Sequence, residues 1–255
     1  MKPFDPNDPS LHASLRRIRL VATDVDGTLT TAGVLTAEVV SLIAELADAG
    51  VEVAPVSGRA AGEVLGLVRY LPGVRRGIAE NGQVLVEPDR ALTWLATPSD
   101  RQAIERDARR IAADLGEVLE RAPDAFCRVG DVAFERAGRA DAAIARLASA
   151  AATQGLHVVW SSVHVHFSTS APDKGAALAR VLDLAGPPRS SVLTMGDAPN
   201  DAGLFVAGRF GVSAGTQDVL AHGEHLAARP DYVCAEREGS AFARVARALL
   251  AARRG

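Results

Sequence analysis

The chain has 255 residues, 48% of them hydrophobic and 23% charged, with a formal net charge of −3. That is ample material for a core, too little positive charge to gather nucleic acid, and no apolar stretch reaches the length of a membrane span. Only Cys127 and Cys234 are present, with no Cys-x-x-Cys spacing, so a disulfide framework and a zinc site are both disfavoured and a reducing cytoplasm is the expected setting. A small molecule is therefore the expected partner, and the sequence admits a homodimer.

Residues 1–17 carry Pro3, Pro6 and Pro9 among acids, without the apolar segment of a signal peptide, and read as a flexible lead-in. Ile18 to Thr30 is different. An apolar run ends abruptly in Asp24, Asp26 and Gly27, the pattern of a buried strand that delivers two aspartates to its carboxyl end. Aspartates at i and i+2 of an extended chain project the same way and repel unless a cation or a shared proton intervenes. Taken alone, Asp24-Val25-Asp26-Gly27 also reads as an ordinary turn.

Helical spacing over Thr36 to Ala49, with Thr36 as N-cap and Gly50 as terminator, predicts a helix. Val51 to Val56 predicts a second strand ending in Ser57-Gly58-Arg59, followed by a helix over Ala60 to Leu71. This strand, helix, strand, helix order is that of a parallel sheet with right-handed crossovers. Gly77 to Ala79, Gln83 to Val86 and Ala91 to Leu95 read as short strands, the last two forming a hairpin at a sheet edge around Pro88-Asp89-Arg90.

From Pro98 the texture changes. A long polar helix over Ser99 to Leu115, strands at Ala125 to Val129 and Val132 to Glu135, a helix over Arg139 to Gln154, and strands at Leu156 to Trp160 and Val163 to Phe167 give the order αββαββ. Residues 98–168 are thus expected to form an inserted α+β module within an α/β core of residues 18–97 and 169–255. The parallel pattern resumes with a helix over Asp173 to Leu184, a strand over Ser191 to Met195 ending in Gly196-Asp197, a short helix over Pro199 to Val206, strands at Phe210 to Ser213 and Asp231 to Cys234, and a closing helix over Ser240 to Ala252.

In such a sheet, ligands sit outside the carboxyl ends of the strands. Asp24, Asp26, Ser57, Asp197 and Asp201 are all predicted on that rim. Clustered carboxylates demand a counter-ion, and an all-oxygen set without His or Cys points to Mg2+. Lys174 stands in the first turn of its helix, where a cation opposes the helix dipole; a surface ion pair with Asp173 is the ordinary explanation. Facing the aspartate cluster, Lys174 instead completes a site for an anion, and phosphate suits Mg2+, an ammonium and a hydroxyl together.

Four ordered segments, DVDGTLT at 24–30, VSGR at 56–59, DKG at 173–175 and GDAPND at 196–201, resemble the motifs of the haloacid dehalogenase superfamily of phosphotransferases. The insert between the second and third resembles that superfamily's type 2 cap in its smaller form. Within the superfamily the pattern is similar to the archaeal phosphoglycolate phosphatases, in IRLVATDVDGTLT, in ENG at 80–82 and in a histidine, His166, preceding the Asp173-Lys174 pair. Arg59 and Gln83 depart from that pattern.

The resemblance implies an α/β Rossmann-like core and a Mg2+-dependent phosphatase acting on a small phosphorylated metabolite. It implies Asp24 as nucleophile, Asp26 as general acid and base, Ser57 and Lys174 as ligands of the transferring oxygens, and Asp24, Asp26, Asp197 and Asp201 around the metal. Gly58, Asn81 and Asn200 would contact substrate from the core. Arg128, His164 and His166 are the candidates on the cap, Arg128 suiting a substrate carboxylate. Sucrose-phosphate and mannosyl-phosphoglycerate phosphatases are also similar and make a sugar phosphate the alternative substrate. Phosphomannomutases share DVDGTLT and ENG but have a glycine-rich second motif. A non-catalytic phosphometabolite-binding regulator is the third reading, opposed by the intact Asp24, Asp26, Lys174 and Asp197.

Overall fold

The computed structural model describes residues 1–90 and 92–254; Ala91, in the expected hairpin, and Gly255 lie outside them. A six-stranded parallel sheet runs through the molecule in the order β1 (Lys2–Pro3), β12 (Tyr232–Val233), β11 (Val212–Gly215), β10 (Val192–Gly196), β2 (Leu20–Thr23) and β3 (Glu52–Pro55). β2 is central. Its alternation sends Val21 into the cluster on one face of the sheet and Leu20 and Ala22 into the cluster on the other, which is why Leu20 to Ala22 are all apolar.

The first face is covered by α1 (Pro9–Leu15), α2 (Ala37–Asp48), α3 (Ala61–Tyr70) and α7 (Glu238–Arg254), and the second by α6 (Lys174–Ala185) with the 3-10 turn Pro199–Phe205. α2 begins where Thr36 accepts from the Val39 amide at 3.3 Å, as its N-cap role requires. A small antiparallel sheet of β4 (Gly77–Ala79), β5 (Val84–Val86) and β6 (Thr93–Trp94) joins the main sheet through the Val56–Ile78 bridge.

Residues 1–17 are not a loose lead-in. The Lys2 amide donates to the Asp231 carbonyl at 2.8 Å and adds β1 to the sheet edge. Phe4, Leu11 and Leu15 are buried, and Phe4 packs edge-on to Tyr232 at 6.2 Å. The proline and acid signals are those of a helix start, with Pro9 at the first helical position and Asp8 accepting from the Ser10 amide at 2.8 Å.

The insert carries α4 (Arg101–Asp114), β7 (Val132–Glu135), α5 (Asp141–Ala152), β8 (His157–Trp160) and β9 (His164–Ser168), an antiparallel sheet in the order β7-β9-β8 with its own apolar cluster. The strand expected at Ala125 to Val129 is absent, and a 3-10 turn, Pro123–Cys127, stands there. Pro123 lacks an N–H for a ladder, and Arg128 is drawn into the interior by side-chain bonds. Pairing with β7 is supplied one turn earlier, by the Arg121–Phe134 bridge. A 3-10 segment, Gln217–His225, which carried no sequence signal, packs His222 and His225 against the insert. No helix among the described residues is long and apolar enough to cross a membrane.

Candidate active site

β2, β3 and β10 lie side by side and in parallel, so their carboxyl ends present Asp24, Ser57 and Asp197 on one rim. Gly27 bends the chain after Asp26 with φ +74°. A Cβ there would lie 2.4 Å from Asp197 Oδ2, so glycine answers both the turn and the close approach. Thr28 Oγ1 donates to Asp197 Oδ1 at 3.1 Å and orients it.

Asp24, Asp197 and Asp201 are fully buried and place one carboxylate oxygen each within 4.8 Å of one another. The counter-charge among them is Lys174, whose Nζ donates to Asp201 Oδ1 at 2.6 Å and stands 3.0 Å from Asp24 Oδ1. Asp173 caps α6 by accepting from the Ala176 amide at 2.9 Å, so the helix starts where Lys174 must enter the cluster.

Burial and the negative neighbour Asp201 raise the Asp24 pKa to about 7, and burial with Asp201 and Asp24 raises that of Asp197 well above the carboxylate range. Burial works against the Lys174 ammonium, yet Asp201 and Asp24 hold its pKa above the ordinary value. Three carboxylates against one ammonium leave negative charge to be compensated, in a place where every candidate donor is an oxygen.

Asp201 has little capacity left for a further ligand. Its Oδ1 takes Lys174, and its Oδ2 accepts from the Asp197 and Ala198 amides at 2.9 and 3.1 Å. Asp26 stands apart from the cluster, with its carboxylate in the fork of Arg59, Nε to Oδ2 at 2.8 Å and Nη2 to Oδ1 at 2.6 Å. Ser57 is buried, and its Oγ accepts from the Arg59 amide at 3.2 Å. Asn200 Nδ2 donates to Asn81 Oδ1 at 3.0 Å, leaving Asn81 Nδ2 and Asn200 Oδ1 buried without partners. Glu80 and Asn81 sit at φ +52° and +56°, strained for residues other than glycine and held there by their contacts.

The cap candidates divide. Arg128 has a side chain wholly out of solvent and is committed to Asp124, to Asp131 Oδ1 at 2.8 Å and to the Gly58 carbonyl at 2.9 Å. The expectation that it faces substrate is corrected by this arrangement. His166 Nδ1 pairs with Asp131 Oδ2 at 2.9 Å, and a Cβ on Gly58 would lie 3.0 Å from His166 Nε2, so the ring abuts the Ser57-Gly58 turn. His164 stands beside it, ring centroids 5.9 Å apart, and burial lowers its pKa to about 4.

Sequence reading also missed Glu80, buried behind the rim. Its carboxylate accepts from the amides of Ala61 at 3.0 Å, Val129 at 2.9 Å, Gly130 at 2.6 Å and Asp131 at 2.9 Å, and so ties the insert to the core. A glutamate in an apolar turn was the available signal. A cavity of about 620 Å³ opens outside Asp26, Gly27 and Asp197, walled by Arg136, Ser162 and His222. Its wall closes where His222 Nδ1 meets Asp141 Oδ2 at 2.7 Å.

No protein-family model matches the sequence. Over 190 residues it is 33% identical to a phosphoglycolate phosphatase of Halorubrum lacusprofundi, covering 74% of this chain and 81% of that protein. The fold matches the crystal structure of Thermoplasma acidophilum 0175 with a TM-score of 0.72 at 18% identity, over 91% of this chain and 98% of that one. It also matches a haloacid dehalogenase-like hydrolase from B. subtilis with a TM-score of 0.68 at 16% identity, over 90% and 99%. With these matches and its four ordered motifs, the chain belongs to the phosphatases of the haloacid dehalogenase superfamily and counts archaeal phosphoglycolate phosphatases among its relatives.

Proposed function

We propose that this phosphatase is Mg2+-dependent, works through an aspartyl-phosphate on Asp24 and acts on a small phosphorylated metabolite, phosphoglycolate being the first choice. The observation that carries the reading is the buried set of Asp24, Asp197 and Asp201 around one ammonium, at the ends of adjoining strands. Phosphoglycolate rests on the activity named for the Halorubrum lacusprofundi relative.

The cluster fits Mg2+ by its excess negative charge and its all-oxygen donors. The Asp24 and Asp197 carboxylates and the Asp26 main-chain carbonyl would hold the ion, while Asp201 braces Lys174 and the turn after β10. When bound, Mg2+ would offset charge on the phosphoryl oxygens.

An Asp24 carboxylate oxygen attacks phosphorus, the bond from phosphorus to the ester oxygen breaks, and the leaving oxygen takes a proton from Asp26. Water then attacks the phosphoryl group, passes its proton to Asp26, and Asp24 is released with inorganic phosphate. Asp26 faces Arg59, so this duty requires its side chain to turn towards the ester oxygen. Ser57 and Lys174 hold the phosphoryl oxygens, where charge spreads in the transition state, and Asn81 offers its unpaired Nδ2 as a further donor, held in place by Asn200 Nδ2 on its Oδ1. Residues 98–168 act as the cap that keeps water out, and His164, beside His166 on β9, is its candidate for contact with the leaving group.

Phosphate release from p-nitrophenyl phosphate tests the reading. Activity should be lost in EDTA and return with Mg2+; turnover that ignores both would refute it.

A further inference from the structure

We infer that Arg59 is the receptor for a carboxylate on the substrate, so that the enzyme prefers phosphomonoesters whose carboxylate is attached to the carbon that bears the ester oxygen, as in 2-phosphoglycolate. The inference rests on the phosphatase reading above and assigns the group that recognises the leaving acid.

Three other arginines border the site, and the structure disposes of each. Arg128 has no solvent-exposed side-chain surface and is spent on Asp124, Asp131 and Gly58. Arg136 donates to the Arg139 and Ser161 carbonyls at 2.9 Å each and to Asp141 Oδ1 at 2.7 Å. Arg237 is 67% exposed and already pairs with Asp218 at 3.0 Å, where water weakens any further ion pair. Arg59 is half-buried and touches the proposed acid itself.

The geometry favours an exchange. In the structure the side edge of the Arg59 guanidinium holds the Asp26 carboxylate by two bonds, 2.8 and 2.6 Å, while Nη1 pairs with Glu63 at 2.8 Å. Five N–H groups are available on a guanidinium, so one hydrogen on each terminal nitrogen is unspent. Asp26 must leave this edge to reach the ester oxygen. The vacated edge then presents a planar, bidentate donor pair beside that oxygen, the shape a carboxylate takes up. In a two-carbon phospho-acid the carboxylate is attached to the carbon that bears the ester oxygen, which places it where Asp26 had been. Glu63 remains on Nη1 and keeps the guanidinium oriented throughout. A leaving group without a carboxylate offers Arg59 nothing in return and leaves Asp26 in its fork.

The test compares kcat/KM for 2-phosphoglycolate with that for 2-hydroxyethyl phosphate, its neutral counterpart of equal carbon count, in Mg2+ with the wild type and with Arg59→Gln. The wild type should favour the acid by about 100-fold, a typical size for a matched, partly desolvated ion pair, and Arg59→Gln should reduce that ratio to about threefold or less. Equal loss on both esters would make Arg59 a support for Asp26 alone and overturn the inference, as would a wild type that does not distinguish them. Arg59→Lys, which keeps the charge and loses the planar fork, gives a second reading should Arg59→Gln not fold: it too should lose most of the preference, and a preference kept at the wild-type level would overturn the inference. Absence of turnover of both esters, and of p-nitrophenyl phosphate, would overturn the phosphatase reading together with this one; turnover without preference overturns only this one.

Discussion

Arg128 donates through Nη1 to the Gly58 carbonyl at 2.9 Å, a bond from the insert to the turn that carries Ser57. Gly58 is thereby held from outside, with His166 against its α-carbon and the Glu80 carboxylate fastening both sides of the junction. Arg128 and His166, both candidates from the sequence, thus meet the core at the Ser57-Gly58 turn.

Asp24→Asn should lose about a thousandfold or more in kcat, because an amide cannot attack phosphorus and residues acting as a unit show large single losses. Lys174 keeps its 2.6 Å bond to Asp201, so the variant should stay folded. Phosphate release and far-ultraviolet circular dichroism check the two halves; turnover near wild type would remove Asp24 from the mechanism.

Gly27→Ala should cost about 100-fold in kcat/KM, since its methyl group would press on the Asp197 carboxylate and small displacements of a positioned group carry losses of this order. The φ of +74° adds backbone strain. The Mg2+ concentration for half-maximal activity should rise in the same assay, and an unchanged Mg2+ requirement would detach Asp197 from the metal.

Glu80→Gln should destabilise the fold by about 2 to 3 kcal/mol, because four amides, three of them buried, converge on its carboxylate and an amide side chain has one oxygen to offer them. Urea denaturation measures this. Hydrogen exchange at Val129 to Asp131 should rise above the global change, and equal protection there would show that the junction does not depend on Glu80.

Acid should weaken the cap. Burial holds the His164 pKa at about 4 against an ordinary 6.5, and that of His166 is also lowered by burial. As pH falls from 6.5 towards 4, the unfolded chain takes up protons at these rings that the folded chain refuses, so stability decreases across that window. Asp24 and Asp197, whose raised pKa values act in the opposite sense over this window, are common to both proteins, so the histidine contribution is read as a difference. From pH 7 to pH 4 the melting temperature of His164→Gln should rise relative to that of the wild type; parallel curves would assign the acid sensitivity elsewhere.

Much of the architecture follows from local sequence. The apolar run into Asp24, the Thr36 cap, the helix that begins around Lys174 and the return of βα periodicity after residue 168 are short-range signals, because strand burial and helix capping depend on neighbours within a few residues. The convergence of Asp24, Ser57 and Asp197 follows as well, since parallel strands share one carboxyl edge, and Lys174 joins them from the start of α6. Tertiary structure alone decided the partners. That Arg128 serves Gly58 and not substrate, that Asp201 braces Lys174, that Glu80 binds three amides some fifty residues away, and that Asp26 lies in the fork of Arg59 are all contacts between segments distant in the chain. An arginine or a glutamate has the same spacing whether it meets water, substrate or another side chain, and only packing determines which of them it meets.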